Sequence, residues 1–128
     1  MSSVVVTGAG SGIGAATCRR LAAQGIDLVI HTGSRREAAE AVARECGAVR
    51  STVITGDIAD ARTIDALLDA AQSLGGLGGF VANAGFADRR TLAQLDDEIV
   101  VRSLRTMVVS LAHLLRKSLP LLEQASHG

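Results

Sequence analysis

A glycine-rich stretch near the start of the chain carries the clearest chemistry. The segment Thr7–Gly14 reads TGAGSGIG, and it lies between a short β-branched run, Val4–Val6, and a predicted helix over residues 11–24. Glycines at a strand-to-helix turn permit positive φ and let backbone N–H groups approach a pyrophosphate at the helix N-terminus. The pattern therefore predicts a dinucleotide-binding turn, with a plain strand-to-helix turn as the alternative.

The residues after the second apolar run bear on which dinucleotide is bound. An acidic side chain about 20 positions after the glycine turn would hold the ribose hydroxyls of NAD. Here that position falls near Thr32, and Ser34, Arg35 and Arg36 follow it. With no carboxylate to repel a 2′-phosphate and two cations close by, the sequence favours NADP(H) over NAD(H). The alternative is that Arg35 and Arg36 only form the solvated first turn of a helix.

Apolar runs alternate with amphipathic segments along the chain. Strands are predicted at residues 4–6, 28–30, 53–55 and 80–82, and helices at residues 11–24, 37–46, 62–74 and 96–119. A polar turn is predicted at residues 31–36, and a glycine loop at residues 75–79. Strands that alternate with helices of about 10 to 15 residues indicate right-handed crossovers and a parallel sheet. We therefore expect one α/β domain over residues 1–128, with about four strands and four helices.

The composition excludes several function classes. Lys and Arg together number 13, Asp and Glu together number 13, and the only aromatic residues are two phenylalanines, so the chain lacks the basic and stacking surfaces of nucleic-acid binders. Cys18 and Cys46 are isolated, and no Cys/His group has metal-ligand spacing, which predicts reduced thiols and no metal. The N-terminus has no secretion-signal pattern, and no run reaches the roughly 18 apolar residues of a membrane span, so the expected location is cytoplasmic.

Two further motifs follow the predicted third and fourth strands, Asp57-Ile58 and Asn83-Ala84-Gly85. Together with the spacing of the TGAGSGIG turn, they make the whole chain resemble the short-chain dehydrogenase/reductase family. The resemblance implies a Rossmann-type, doubly wound parallel sheet in three α/β/α layers, incomplete here, with the strand order 3-2-1-4. It also implies an oxidoreductase that transfers hydride between a nicotinamide and an alcohol or carbonyl substrate.

The resemblance further implies a role for each matching residue. The cofactor phosphates would bind at Gly8, Ser11, Gly12, Ile13 and Gly14. The adenine would contact Asp57 and Ile58, and the cofactor ribose would lie against Asn83, Ala84 and Gly85. As alternatives, Asp57 could cap a turn and Asn83 could be an ordinary turn residue.

The family's catalytic groups do not lie in this chain. It contains no tyrosine, so the tyrosine that exchanges a proton with the substrate in the family is missing. Residues of similar type that do not match the family's catalytic positions are Lys117, Ser110, Ser118 and Ser126. Met107 stands where the family has an asparagine, and a thioether cannot organise a proton-relay water as an amide can. His113 and His127 are interpreted as a surface residue and a chain-end residue rather than as substitute acids.

Two kinds of function remain open at this point. The chain ends at Gly128, just before the family's fifth strand, so we expect the N-terminal half of a longer reductase or a protein whose sheet another chain completes. The alternative is a non-catalytic nucleotide-binding or assembly module, which Met107 favours, and a weaker one is a fragment without a stable fold. A broad apolar face on the last helix predicts a homo-oligomer or such a completing chain. The sequence does not identify the substrate.

Overall fold

Strands and helices alternate in the computed structural model, which describes residues 2–125. In chain order the elements are β1 (Ser3–Val6), α1 (Gly12–Ala22), β2 (Asp27–Thr32), α2 (Arg36–Glu45), β3 (Ser51–Thr55), α3 (Ala61–Ser73) and β4 (Leu77–Val81). A 3₁₀ turn (Leu92–Gln94) then leads into one long helical segment, which consists of α4 (Asp97–Leu104), a π-helical turn (Arg105–Val109) and α5 (Ser110–Gln124).

The four strands form one parallel sheet in the order β3-β2-β1-β4, which confirms the predicted fold class and strand order. Val5 pairs with Val29, and both face the core cluster that α3 and α5 cover. Val6 pairs with Ile30, and both face the opposite cluster, which α1 and α2 cover. Because successive strand residues point to opposite faces, both faces of the sheet are apolar and both need helices.

Two aspartates begin helices by capping them. Asp60 accepts a hydrogen bond from the N–H of Arg62 at 2.9 Å at the start of α3. Asp96 accepts one from the N–H of Ile99 at 2.9 Å at the start of α4. Each carboxylate satisfies an amide that has no partner within the helix, and its charge is favourable at that end of the helix dipole.

Three predicted boundaries were wrong. His31 and Thr32 belong to β2 and are buried, because they pair with Ile54 and Thr55 of β3 and their polar atoms find partners inside the protein. Glycines 78 and 79 lie inside β4 rather than in a loop, and Gly79 pairs with Val4. The last helical segment extends to Gln124, beyond the predicted residue 119, and Pro120 lies within it.

The long helical segment exposes a row of apolar side chains. We call this row the apolar stripe, and it comprises Val101, Leu104, Val108, Leu111 and Leu115. The exposed fraction of these residues runs from 37% at Leu111 to 57% at Val108. Among residues 2–125, no helix is long and apolar enough to cross a membrane. The cytoplasmic location stays a prediction.

The two cysteines lie between the sheet and the α1–α2 layer. Cys18 and Cys46 are both buried and unbridged, and both belong to the same core cluster. Burial, reinforced by the neighbouring Cys46, raises the pKa of the Cys18 thiol to about 12. A thiol with so high a pKa carries almost no thiolate at neutral pH, so Cys18 is a packing residue rather than a nucleophile.

Candidate functional site

The glycine turn after β1 is shaped by two positions that accept no side chain. Gly8 has φ +63°, and a Cβ there would lie 2.8 Å from the Cα of Ala84. A Cβ on Gly14 would press against the carbonyl oxygen of Gly8 and lie 2.7 Å from Nδ2 of Asn83. Both contacts involve the backbone or a tethered amide, so neither neighbour can move away cheaply. The first turn of α1 therefore begins directly against the loop that follows β4.

Thr7 and Asn83 fasten the glycine turn to the loop after β4. The Thr7 hydroxyl oxygen accepts hydrogen bonds from the N–H groups of Asn83 at 3.0 Å and Ala84 at 2.9 Å. In return, Nδ2 of Asn83 donates to the carbonyl oxygens of Thr7 and Gly8, each at 3.1 Å. These four hydrogen bonds help to join the carboxyl ends of β1 and β4. This arrangement argues against Asn83 as an ordinary turn residue.

His31 makes the corresponding connection on the other side of β1. Its Nδ1 accepts from the N–H of Gly8 at 3.2 Å, and its Nε2 lies 2.8 Å from the carbonyl oxygen of Gly56 after β3. Burial lowers the pKa of His31, although the hydrogen bond to Gly56 and the charge of Asp57 act in the opposite direction. Sequence reasoning placed His31 in a polar turn. The signal that could have found it is a lone histidine at the end of a continuous apolar run, where an imidazole needs buried partners.

Thr32, Ser11 and Arg35 come together at the outer end of the glycine turn. The N–H of Arg35 donates to the Thr32 hydroxyl at 3.2 Å, and Nη1 of Arg35 donates to the Ser11 hydroxyl at 3.1 Å. The guanidinium of Arg36 is directed elsewhere, to Glu40 at 2.9 Å and to the Thr55 hydroxyl at 3.3 Å. Of the two arginines predicted here, only Arg35 contacts the glycine turn.

A cleft of about 400 Å³ opens where the four strands end. Six of the predicted site residues line it, namely Gly8, Ser34, Asp57, Ile58, Ala84 and Gly85, and Gly33 and His31 line it as well. Ile58 is buried in the core, and Asp57 is exposed, with its carboxylate accepting from the N–H of Ala59 at 2.9 Å. The cleft thus has an apolar floor and polar edges, as pockets for a nucleotide base commonly do.

Three further lining residues were not predicted from the sequence. Phe86 follows the Asn83–Gly85 motif, while Arg102 and Thr106 come from the long helical segment. The Arg102 guanidinium lies 4.6 Å from the centre of the Phe86 ring, within the range of a cation–π contact. Neither Arg102 nor Thr106 was among the residues that the sequence predicted for a site. Their approach to the cleft depends on how the helix crosses the sheet, which the local pattern does not contain.

Met107 lies at the inner edge of the site. It belongs to the π-helical turn, and a Cβ on Gly85 would lie 3.4 Å from its sulfur atom. The side chain is 41% exposed. The position where the resemblance expects an asparagine therefore does face the loop that ends in Gly85, and it presents a weak acceptor there instead of an amide.

Ser110, His113, Lys117 and Ser118, which did not match catalytic positions, do not line the cleft. Lys117 forms an ion pair with Asp65 of α3, and Ser118 is buried and donates to the carbonyl oxygen of Leu115. The Ser110 hydroxyl donates to the carbonyl oxygen of Thr106 within the helix. Ser126 and His127 fall outside the described residues. Within residues 2–125, no cluster of three or more His, Cys, Asp or Glu side chains could hold a metal ion.

Comparison with known proteins gives a consistent family. The model of the family described as short chain dehydrogenase matches residues 2–128. A reductase of Mycobacterium tuberculosis that acts on a hexahydroindene-carboxyl-CoA is 33% identical over 128 residues, which cover 98% of this chain and 49% of that protein. A cis-4-hydroxycyclohexanecarboxylate dehydrogenase of Sinomonas cyclohexanicum is 45% identical over 96 residues, which cover 72% of this chain and 38% of that protein.

Solved structures agree with these matches. A short chain dehydrogenase from Burkholderia cenocepacia, crystallised in complex with NADP, superposes with a TM-score of 0.89 at 31% identity. That match covers 94% of this chain and 51% of the other chain. The chain thus spans about half the length, or less, of the relatives it matches.

Proposed function

We propose that this chain, which belongs to the short-chain dehydrogenase family, supplies the NADP(H)-binding part of an oxidoreductase that acts on an alcohol or carbonyl group. The observation that carries the proposal is the cleft at the carboxyl ends of the four strands, where six residues predicted for the cofactor line one cavity. In open α/β sheets such a crevice is the usual place for a nucleotide. When bound, the nicotinamide supplies or accepts the hydride.

The glycine turn fits the pyrophosphate of a dinucleotide. Gly12, Ile13 and Gly14 form the first turn of α1, where amide N–H groups have no acceptor within the helix. The partial positive charge at that helix end favours an anion. Gly12 has φ +56° and nothing lies within 4 Å of an added Cβ there, so its bare backbone faces open space in which a phosphate can approach closely.

The preference for NADP(H) rests on the outer end of the turn. Thr32 offers a hydroxyl where a carboxylate would select against a 2′-phosphate, and the Arg35 guanidinium already lies on Ser11. A guanidinium is well suited to hold a phosphate group. Ser34 lines the cleft next to them. Arg36 contributes less to this preference, because its guanidinium is engaged by Glu40.

The loops after β3 and β4 would make the remaining contacts with the cofactor. Asp57 and the buried Ile58 would hold the adenine, with the apolar side chain against the base and the carboxylate at the cleft edge. Asn83, Ala84 and Gly85 would lie against the cofactor ribose, in a loop that Thr7 holds in place. No residue of this chain is assigned the proton exchange with the substrate, because the sequence contains no tyrosine.

A second candidate function is a nucleotide-binding or assembly module without catalysis. Met107 favours it, since a thioether faces Gly85 where a catalytic asparagine would be expected. The two candidates share the same cofactor site and differ in turnover. NADP+ binding together with oxidation of alcohol substrates by the full protein supports the oxidoreductase, and tight binding without turnover on any alcohol or carbonyl supports the module.

We further propose that the apolar stripe packs against a second copy of the chain. Its members recur at alternating spacings of three and four residues, from Val101 through Leu104, Val108 and Leu111 to Leu115. Such spacing forms an uncharged, self-complementary seam that two like helices can share. Completion of the sheet by another chain beside β4 is the alternative partner.

Calorimetric titration with NADP+ and NAD+ tests the cofactor proposal, and two arginine variants give a matched pair. The wild type should bind NADP+ more tightly than NAD+. Arg35→Gln should weaken NADP+ binding about tenfold or more, as expected for one charge-assisted hydrogen bond, and leave NAD+ binding nearly unchanged. Arg36→Gln should have a clearly smaller effect. Equal losses in the two variants would refute the assignment to Arg35, and no binding of either dinucleotide would refute the proposed function.

A further inference from the structure

One buried histidine holds two successive amides of the glycine turn. The ring Nδ1 of His31 accepts from the N–H of Gly8 at 3.2 Å, and the backbone carbonyl of His31 accepts from the N–H of Ala9 at 2.7 Å. On its far side the ring reaches the carbonyl oxygen of Gly56 at 2.8 Å. The residue is 1% exposed. A single side chain therefore links the ends of β1, β2 and β3 underneath the cleft.

The partners fix the protonation state of the ring. An amide N–H can only donate and a carbonyl oxygen can only accept, so Nδ1 must carry a lone pair and Nε2 must carry the proton. This is the neutral Nε2–H tautomer. A second proton on Nδ1 would place two donors against each other, which removes the bond to Gly8 and leaves that buried amide without a partner.

We propose that His31 is a positioning residue for the dinucleotide, and that its neutral ring holds the glycine turn in the conformation that binds the pyrophosphate. The inference rests on the proposed function above. It follows from the packing of the turn, because Gly8 lies against Ala84 and Gly14 lies against Gly8 with no room for a Cβ. A shift of Gly8 therefore shifts the start of α1, whose N–H groups would meet the phosphates.

The surroundings of the ring predict how binding depends on pH. Burial keeps the pKa of His31 below its ordinary value, even though Asp57 and the Gly56 carbonyl oxygen favour the charged form. The charged side chains that line the cleft together with His31 are Asp57, from the loop after β3, and Arg102, from α4. The ring is thus neutral at pH 7 and gains a proton only below the ordinary histidine range near about 6.5. Because the neutral form is the binding form, affinity should be full at neutral pH and decline on acidification.

Calorimetric titration of the full chain with NADP+ and NAD+ tests the inference, from about pH 7.5 down to about pH 5. His31→Leu removes both ring hydrogen bonds at similar volume, and it should weaken binding about tenfold at neutral pH. His31→Asn offers an amide oxygen close to the position of Nδ1 and does not titrate. It should recover most of the affinity that His31→Leu loses and should abolish the decline in acid. His113→Asn, at a half-buried position of α5 that does not line the cleft, is the control and should keep the wild-type pH profile.

Two comparisons make the outcomes separable. The 2′-phosphate of NADP+ has its own second pKa near about 6, and NAD+ lacks this group. If the affinity for both dinucleotides declines in acid, the decline is therefore caused by a group of the protein. If circular dichroism shows that His31→Leu does not fold, the comparison of the pH profiles of binding between the wild type and His31→Asn still tests the role of His31. Identical pH profiles for these two proteins would overturn the role of His31 and leave the proposed function intact. Absence of binding by the wild type at every pH would overturn both.

Discussion

The two sides of β1 are built differently. On one side every residue of β2 is buried, and the strand lies between β1 and β3 with helices over both faces. On the other side only Leu77 of β4 is buried, and within residues 2–125 β4 has a strand neighbour on one edge alone. The apolar stripe belongs to the helical segment that follows β4. The difference teaches that the apolar core is complete on the β2 side, which we call the closed side, while the β4 side, the open side, leaves apolar side chains exposed within residues 2–125.

The largest effect should come from truncating a leucine on the closed side. Leu28 of β2 is fully buried, so Leu28→Ala should lower the free energy of unfolding by about 2–5 kcal/mol. Leu115 of the apolar stripe is 51% exposed, and Leu115→Ala should change that free energy by less than about 0.5 kcal/mol at high dilution. Urea unfolding of both variants, analysed beside the wild type, measures the two differences.

The same two variants, Leu28→Ala and Leu115→Ala, test whether the apolar stripe packs against a second copy of the chain. If the stripe is covered by another chain, the wild-type midpoint rises with protein concentration, because association stabilises the folded state by mass action. Leu115→Ala should reduce that rise, and Leu28→Ala should preserve it. A comparable loss in both variants at high dilution would mean that Leu115 is already covered within one chain, and the contrast between the two sides would fail.

A smaller effect is expected where the two sides meet. Gly14→Ala would push a Cβ against the Gly8 carbonyl oxygen and to 2.7 Å from Asn83 Nδ2, and this overpacking should cost about 1–3 kcal/mol of unfolding free energy. Gly33→Ala is the matched control, because nothing lies within 4 Å of its added Cβ. Its cost should stay within about 0.5 kcal/mol. Thermal unfolding compares them, and equal costs would show that the β1–β4 junction is not tightly packed.

The sequence predicted the closed side better than the open one, for a physical reason. Buried parallel strands are continuous β-branched runs, and glycine-rich turns have few alternatives, so β1, α1 and β2 could be located from local pattern alone. The strand order followed from the family resemblance.

The parts that were missed depend on distant partners. His31 is polar and looked like a turn residue, yet it belongs to β2 because Gly8 and Gly56 satisfy its ring from other strands. Arg102 reaches the cleft because of the crossing of a helix over the sheet, and its contact with Phe86 spans a long stretch of chain. No residue pattern within one segment encodes such contacts.

The smallest effect should appear at the amino ends of the strands, where one ion pair ties the closed side to β4. The Asp27 carboxylate accepts from the backbone N–H and from Nε of Arg50, each at 2.9 Å, and Nη2 of the same guanidinium donates to the Leu74 carbonyl oxygen ahead of β4 at 2.9 Å. These hydrogen bonds from Arg50 lower the pKa of Asp27. A lowered carboxyl pKa stabilises the fold above the ordinary aspartate pKa near about 3.9, and that contribution disappears as pH falls through the lowered value.

Asp27→Asn tests this tie because the amide oxygen can still accept from the Arg50 N–H while the charge is gone. The variant should melt at a lower temperature than the wild type at neutral pH, and the gap should narrow as the pH falls below about 4. Arg50→Gln should likewise reduce the fall in melting temperature at acid pH, since it removes the guanidinium that lowers the Asp27 pKa. The double variant should add little to either single change if both act through one pair. A gap that stays constant down to acid pH would mean that the charge of Asp27 contributes nothing to the stability of the fold.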